Sequence, residues 1–255
     1  MPSALSAPSS APDPLALSVA PRFCGPPGAG NGGYVAGRLV ALAGLRGPVE
    51  VTLRRPAPVG VPLALRPPGE GDGEAWALEG VSGERIAEAR PHRGPLHDAP
   101  PALPGAASVA RLLFAEEPHP FPHCFVCGPA RAAGDGLRIL PRPVPGAALA
   151  AALWTPAAEL AGPGGFVDPA FVWAALDCPG YFGATLGGPR ITLLLGRMTA
   201  VLSGPVRAGA RLRVLGWPLA REGRRHIAAT ALVDESGRVV ARSRQVWIAP
   251  LPEPR

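Results

Sequence analysis

The stretch Gly164-Gly-Phe-Val-Asp-Pro-Ala-Phe-Val-Trp-Ala-Ala-Leu-Asp-Cys-Pro-Gly-Tyr-Phe182 combines a helix start, an apolar helix and one acidic side chain inside it. Asp168 before Pro169 is an N-cap followed by proline at the first helical position, where the missing N–H is not needed. Residues 170–176 are apolar all round, the pattern of a helix covered on every side. Asp177 follows on the same helix, and Pro179-Gly180 is predicted to end it. A carboxylate among such neighbours is costly unless it is paired, hydrogen-bonded or needed. Two readings stand at this point: a helix-end Asp bonding nearby backbone, or a group kept for chemistry.

Working outward, four strand-like runs follow the helix at 191–202, 210–220, 224–233 and 239–248, and two precede it at 136–140 and 147–154. The first half has the same order. A short strand at 14–20 and a Gly/Pro loop lead to Asn31, a good N-cap before Gly32 and Gly33. An apolar stretch then runs from Tyr34 to Leu45 with Arg38 its only charge. Strand-like runs follow at 49–55, 62–67, 75–80 and 85–90. One helix and then four strands, twice, is an internal repeat of about 125 residues. So small a half has little but its own sheet to cover its helix. The predicted class is therefore α+β, with a curved antiparallel sheet wrapped round a central helix in each half. The divisions are a disordered arm at 1–13, an N-terminal repeat at 14–98, a linker at 99–120 with a short helix near 106–115, and a C-terminal repeat at 121–250.

Composition narrows the classes. Hydrophobic residues make up 47% of the 255, enough for sizeable cores, yet no apolar run reaches the roughly 18–20 residues of a membrane span. The first twenty residues carry no positive charge, so no signal peptide is expected, and the chain reads as cytoplasmic. The net charge of +6 is carried by 25 arginines without a lysine; it permits an anionic ligand, but no nucleic-acid motif is present. Cys124-Phe-Val-Cys127 has the spacing of half a zinc site, with His119 and His123 close by. A second such pair is missing. The expectation is free thiols in a reducing compartment, no disulfide between Cys124 and Cys127, and no metal.

Several motifs carry a family resemblance. Cys124-Phe-Val-Cys-Gly-Pro129 with Gly136-Leu-Arg-Ile139, Ser203-Gly-Pro-Val-Arg-Ala-Gly209 and Asp234-Glu-Ser-Gly-Arg-Val-Val-Ala241 resemble hotdog thioesterases of the phenylacetate-thioesterase type. Asn31-Gly-Gly-Tyr34 and Arg54-Arg-Pro-Ala-Pro-Val-Gly60 resemble the N-terminal half of acyl-CoA thioesterase II. Together they cover roughly residues 14–250 and imply a double hotdog.

The resemblance implies a chemistry. Such enzymes have no Ser-His-Asp triad. An acid on the central helix serves as base or nucleophile, and N–H groups at a helix N-terminus hold the oxyanion. The family's helix opens with His-Gly-Gly, and the acid stands nine residues after the His. Asp168 stands at the His place, with Asp177 nine residues on. Asn31 takes that place in the first half, but Val40 stands where the acid would be. Pro169 has no N–H to donate, whereas Gly32 and Gly33 do. One composite site, Gly32 and Gly33 with Asp177, is therefore expected, and the other, Pro169 with Val40, is expected to be dead. Gln245 matches a Gln that holds water against the acid, while Leu195 stands at a position the family fills with Thr or Ser. Asn31, Tyr181, Thr192 and Arg197 complete the implied cleft. The substrate would be an acyl thioester of coenzyme A or of an acyl carrier protein, the pantetheine part belonging to the substrate, with no other cofactor. Sheet or edge contacts offer a route to a homo-oligomer. A non-catalytic acyl-thioester-binding or scaffold protein is the other reading. A hotdog dehydratase would want a His on a central helix, and neither helix has one; His226, on a late strand, is expected at the surface.

Overall fold

A computed structural model describes residues 16–69, 73–112 and 118–251. The arm predicted at 1–13, the start of the strand predicted at 14–20 and most of the second half of the helix predicted near 106–115 lie outside the described residues.

The chain runs β1 (Ala16–Ser18), α1 (Gly32–Leu42), β2 (Val49–Leu53), β3 (Pro62–Arg66), β4 (Trp76–Glu79) and β5 (Arg85–Pro91). It continues through α2 (Ala106–Ala110), β6 (Arg142–Pro143), β7 (Ala150–Trp154) and α3 (Pro169–Ala184). The last four strands are β8 (Leu194–Leu202), β9 (Leu212–Glu222), β10 (Arg225–Val233) and β11 (Val239–Ile248). The eleven strands among the described residues form one antiparallel sheet in the order β1-β3-β4-β5-β2-β8-β11-β10-β9-β7-β6. The first strand after α1 pairs with the first strand after α3, with Val49 opposite Ala200 and Thr52 opposite Arg197. On either side of that seam the strands follow in the same sequence: β5, β4, β3 outward from β2, and β11, β10, β9 outward from β8.

The two helices pack against each other at close range. A Cβ on Gly33 would stand 2.5 Å from Asp177 Cβ and 2.6 Å from the Trp173 carbonyl. One on Gly37 would stand 2.6 Å from Ala170 Cα. Real side chains do not fit at such separations, so these two glycines let the backbones approach. The small residues of α1 at these two positions therefore serve helix packing.

α3 is longer than the sequence predicts. It passes through Pro179 and Gly180 and ends at Ala184, with Thr185 as the C-cap. Proline inside a helix removes the hydrogen bond to the carbonyl four residues back and costs about 3 kcal/mol. Thirteen of the sixteen residues of α3 are buried, and covering them on the sheet outweighs that cost. The run at 136–140 is the second correction. It joins no sheet. The Leu137 and Ile139 N–H groups donate instead to the carbonyls of Phe125 and Val126 in the cysteine loop.

Candidate active site

Asn31 and Asp168 cap α1 and α3, and each lines one cavity along the helix pair. The two cavities differ in chemistry. At the α1 end, a cavity of about 240 Å³ is lined by Asn31, Gly32, Leu53, Asp177, Leu195 and Trp247, among others. At the α3 end, a larger one of about 770 Å³ is lined by Val40, Asp168, Pro169, Val172 and Trp173, among others. Among the described residues, the lining of the larger space holds no buried acid.

At the α1 end the two halves of the chain meet atom to atom. Asn31 Oδ1 accepts from the Tyr34 N–H at 2.9 Å, which is the N-cap bond. That leaves its amide nitrogen free to donate to Asp177 Oδ2 at 2.7 Å. The Gly33 N–H donates to the same oxygen at 2.9 Å. Asp177 Oδ1 is buried and has no hydrogen-bond partner among the described residues. The whole residue is 2% exposed. Burial pushes its pKa up to about 7; the Gly33 N–H and the Asn31 amide hold it from rising further, while Cys124 pushes it up. A carboxyl group with one tethered oxygen, one unpaired oxygen and a pKa near neutrality can take and return a proton at physiological pH.

Gly33 therefore does not have the place the sequence suggested. Its N–H is committed to the acid and cannot serve an oxyanion in this arrangement. Gly32 can: among the described residues nothing accepts from its N–H, and it lines the cavity. It opens α1, where the helix dipole favours negative charge.

Gln245 is buried but does not face Asp177. Its amide nitrogen donates to the Leu176 carbonyl at 2.7 Å and to Ser243 Oγ at 2.9 Å, and its oxygen accepts from Trp247 Nε1 at 2.7 Å. Both donors are used, so it fastens α3 to β11 and holds no water against the acid. Arg197 is a further correction. The pairing of β11 with β8 shifts by one residue between Val246 and Trp247, which leaves Gly196 opposite no partner. Leu195 faces the cavity beside Trp247, while Arg197 lies over Thr52 Oγ1 at 3.2 Å and Glu50 at 3.8 Å, on a groove away from the helices. Thr192 is exposed on the segment before β8 and does not line the cavity. Tyr181 is buried with its hydroxyl donating to the Ile191 carbonyl at 3.1 Å, also outside the cavity wall. His226 is buried, not on the surface, with Nδ1 3.3 Å from the Ala184 carbonyl at the end of α3.

The sequence missed other members of the site. Leu53, Trp247 and Ile248 wall the cavity, and Arg54 and Arg55 stand at its rim. Cys178, next to Asp177, lines it too, and its sulfur lies 3.7 Å from the sulfur of Cys124. The alternation of β2 and β11 could have pointed to Leu53 and Trp247; nothing in the sequence could have brought Cys178 to Cys124.

At the α3 end, Asp168 Oδ1 accepts from the Ala170 N–H at 2.8 Å, and Arg38 stands 3.6 Å from its other oxygen. Its side chain is 40% exposed. Pro169 supplies no donor beside it, and Val40 supplies no acid.

The sequence matches no family model and no curated protein. Solved structures do resemble it. A candidate thioesterase II from Thermobifida fusca superposes with a TM-score of 0.59 at 20% identity, covering 92% of this chain and 93% of that one. An acyl-CoA thioesterase II from Mycobacterium marinum gives 0.60 at 15% identity, covering 93% of each chain. A protein with a hot dog fold from Alicyclobacillus acidocaldarius gives 0.57 at 14% identity, again over 93% of each. The likeness spans the chain rather than one piece of it, and at these identities what it shows is the fold: an α+β hotdog, shared with structures of the thioesterase II type.

Proposed function

We propose that the chain is a double-hotdog thioesterase that hydrolyses an acyl-CoA or acyl-carrier-protein thioester at one composite site. The repeats are 14–98 and 121–250, joined by the linker at 99–120, and the protein works in the cytoplasm. The observation that supports this most is the junction at the α1 end. An acid from α3 is held by two donors from α1, with its other oxygen unpaired, beside the uncommitted N–H of Gly32.

In this reading Asp177 Oδ1 takes a proton from water as the water oxygen bonds to the thioester carbonyl carbon. The Gly32 N–H and the α1 dipole hold the negative charge that develops on the carbonyl oxygen. The C–S bond then breaks, and the proton passes from Asp177 to the departing thiolate. Asn31 and Gly33 orient the acid and share its charge. Gln245 fixes the helix turn that carries it. The apolar wall of Leu53, Leu195 and Trp247 suits an acyl chain, and Arg54 and Arg55 at the rim suit the phosphates of coenzyme A or phosphopantetheine.

One observation favours the second reading, a non-catalytic acyl-thioester-binding protein. Leu195 is apolar where a hydroxyl would help, and both Gln245 donors are occupied, so neither residue fixes a water beside Asp177. Thiol release from acyl-CoAs of several lengths separates the two. The thioesterase reading expects turnover in the wild type and its loss in Asp177→Asn. No turnover with any thioester, together with acyl-CoA binding indifferent to Asp177, would leave the binding protein.

A further inference from the structure

The cysteine loop and α3 bring three sulfurs together. The Sγ atoms of Cys124, Cys127 and Cys178 all lie within 4.8 Å of one another, and each residue is buried. Cys124 and Cys178 stand 3.7 Å apart. Ligands at about 2.3 Å from a tetrahedral zinc ion stand about 3.8 Å from each other, so this separation already suits a shared ion. The expectation of no metal rested on two thiols; the fold supplies a third from 51 residues away.

The loop has the build of a thiolate knuckle. Its backbone is braced by the Leu137 and Ile139 N–H groups on the Phe125 and Val126 carbonyls, each at 2.9 Å. The Gly128 N–H closes the turn on the Cys124 carbonyl at 2.8 Å. Gly128 is pressed so close that a Cβ there would meet the Cys124 carbonyl at 2.5 Å and the Pro122 carbonyl at 2.6 Å. From the other side, the Asn31 amide stands 3.7 Å from the Cys178 sulfur and 3.9 Å from that of Cys124. A side-chain amide set beside two sulfurs is the kind of outer donor that lets thiolate ligands spread their charge.

We propose that Cys124, Cys127 and Cys178 bind one thiophilic divalent metal ion of the zinc class, which ties the cysteine loop to α3 beside Asp177. The two nearby histidines are not ligands. His119 Nδ1 accepts from the Phe121 N–H at 3.1 Å, so its proton sits on Nε2 and leaves no lone pair there. His123 is exposed and outside the cluster. The protein thus offers three thiolates, and the fourth position goes to a small ligand. Cys178 also lines the α1-end cavity, which gives the ion a way in. Asn31 contacts both the Asp177 carboxylate and two of the sulfurs, so it ties the orientation of the acid to the metal. The site stands whether or not the chain is a thioesterase.

The test uses the full chain, purified without chelator and analysed for bound metal. About one zinc per chain is expected. Cys24→Ser should keep it, since Cys24 is not in the cluster. Asn31→Ala should weaken zinc binding about 10–100-fold, the usual effect of losing an outer donor, and Cys178→Ser should weaken it further. Metal-free wild type, prepared under reducing conditions, is then titrated with cobalt(II). A thiolate-to-cobalt charge-transfer band saturating at one ion per chain, displaced by zinc, with a raised melting temperature, supports the site. The wild-type titration decides the matter even if a Cys variant fails to fold. A folded metal-free chain that shows neither the band nor a melting shift with cobalt or zinc, its thiols still reduced, overturns the proposal.

Discussion

The two ends of the helix pair each carry the N-cap of one helix, and they are lined by different chemistry. At the α1 end, the cap is an Asn whose amide has a spare donor, the first helical residue is a Gly with a spare N–H, and the facing helix supplies a buried acid. At the α3 end, the cap is a half-exposed Asp already paired with Arg38, the first helical residue is a Pro, and the facing helix supplies Val40. The difference teaches that one close helix contact can carry two ends of unlike chemistry. Gly33 and Gly37 bring the helices together along both ends, but only the end that pairs a donor with an acid can do acid–base work.

The largest effect expected from breaking this comparison is at the acid. Asp177→Asn keeps the shape and removes the charge, and should lower kcat by about 10²–10⁴-fold in a thiol-release assay. Asp168→Asn should leave kcat within about twofold, because both residues cap helices well. Equal losses in the two variants would end the distinction between the cavities. Next comes the donor. Gly32→Pro deletes one N–H at a helix position that tolerates proline, and should cost about 10²–10³-fold in kcat. Gly32→Ala keeps the N–H and should cost far less; a matched loss in the two would mean that shape, not the donor, matters.

Gln245→Ala sharpens the comparison differently. It leaves the Trp247 N–H without a partner and takes one donor from the Leu176 carbonyl, so denaturant unfolding should show a loss of about 1–3 kcal/mol. Its kcat should fall much less than that of Asp177→Asn. A stable Gln245→Ala protein with a collapsed kcat would return this residue to the chemistry.

The last expected effect is a pH slope in stability. In the metal-free chain Asp177 has a pKa of about 7, against about 3.9 for an unfolded Asp. Between those values the native state holds a proton that the unfolded chain has lost. This contribution to stability is therefore full below about pH 4 and is lost as pH rises through about 7. The groups facing Asp177 are Asn31, the Gly33 N–H and the neighbouring cysteines, with no cation among its hydrogen-bond partners. Melting temperatures of metal-free wild type and Asp177→Asn, compared across that window, should converge at low pH and part at high pH in favour of the variant. Parallel curves would show that the charge on Asp177 is compensated in the fold.

Much of the molecule was legible in the chain. Helix caps, proline and glycine act within a few residues of themselves, so Asn31 and Asp168 could be assigned as N-caps, and the missing donor at Pro169 could be seen, before any fold was drawn. Alternating strands separated by turn residues gave the order of elements on both sides of the seam. The apolar surroundings of Asp177 marked it as costly and hence as worth explaining.

The rest was decided by tertiary contact. The end of α3 was misplaced because local propensity stops a helix at Pro179, whereas burial on every side carries it to Ala184. Arg197 was misplaced because one shifted pairing at Gly196 turns the following residues of β8 to the other face, and sheet parity cannot be read without the partner strand. The partners of Gly33, Gln245 and Cys178 lie 144, 69 and 54 residues away. A hydrogen bond or a sulfur contact depends on position to within a few tenths of an ångström. The chain alone determined which residues could cap, donate and ionise; only the packing of α1 on α3 and of both on the sheet decided to whom they would do so.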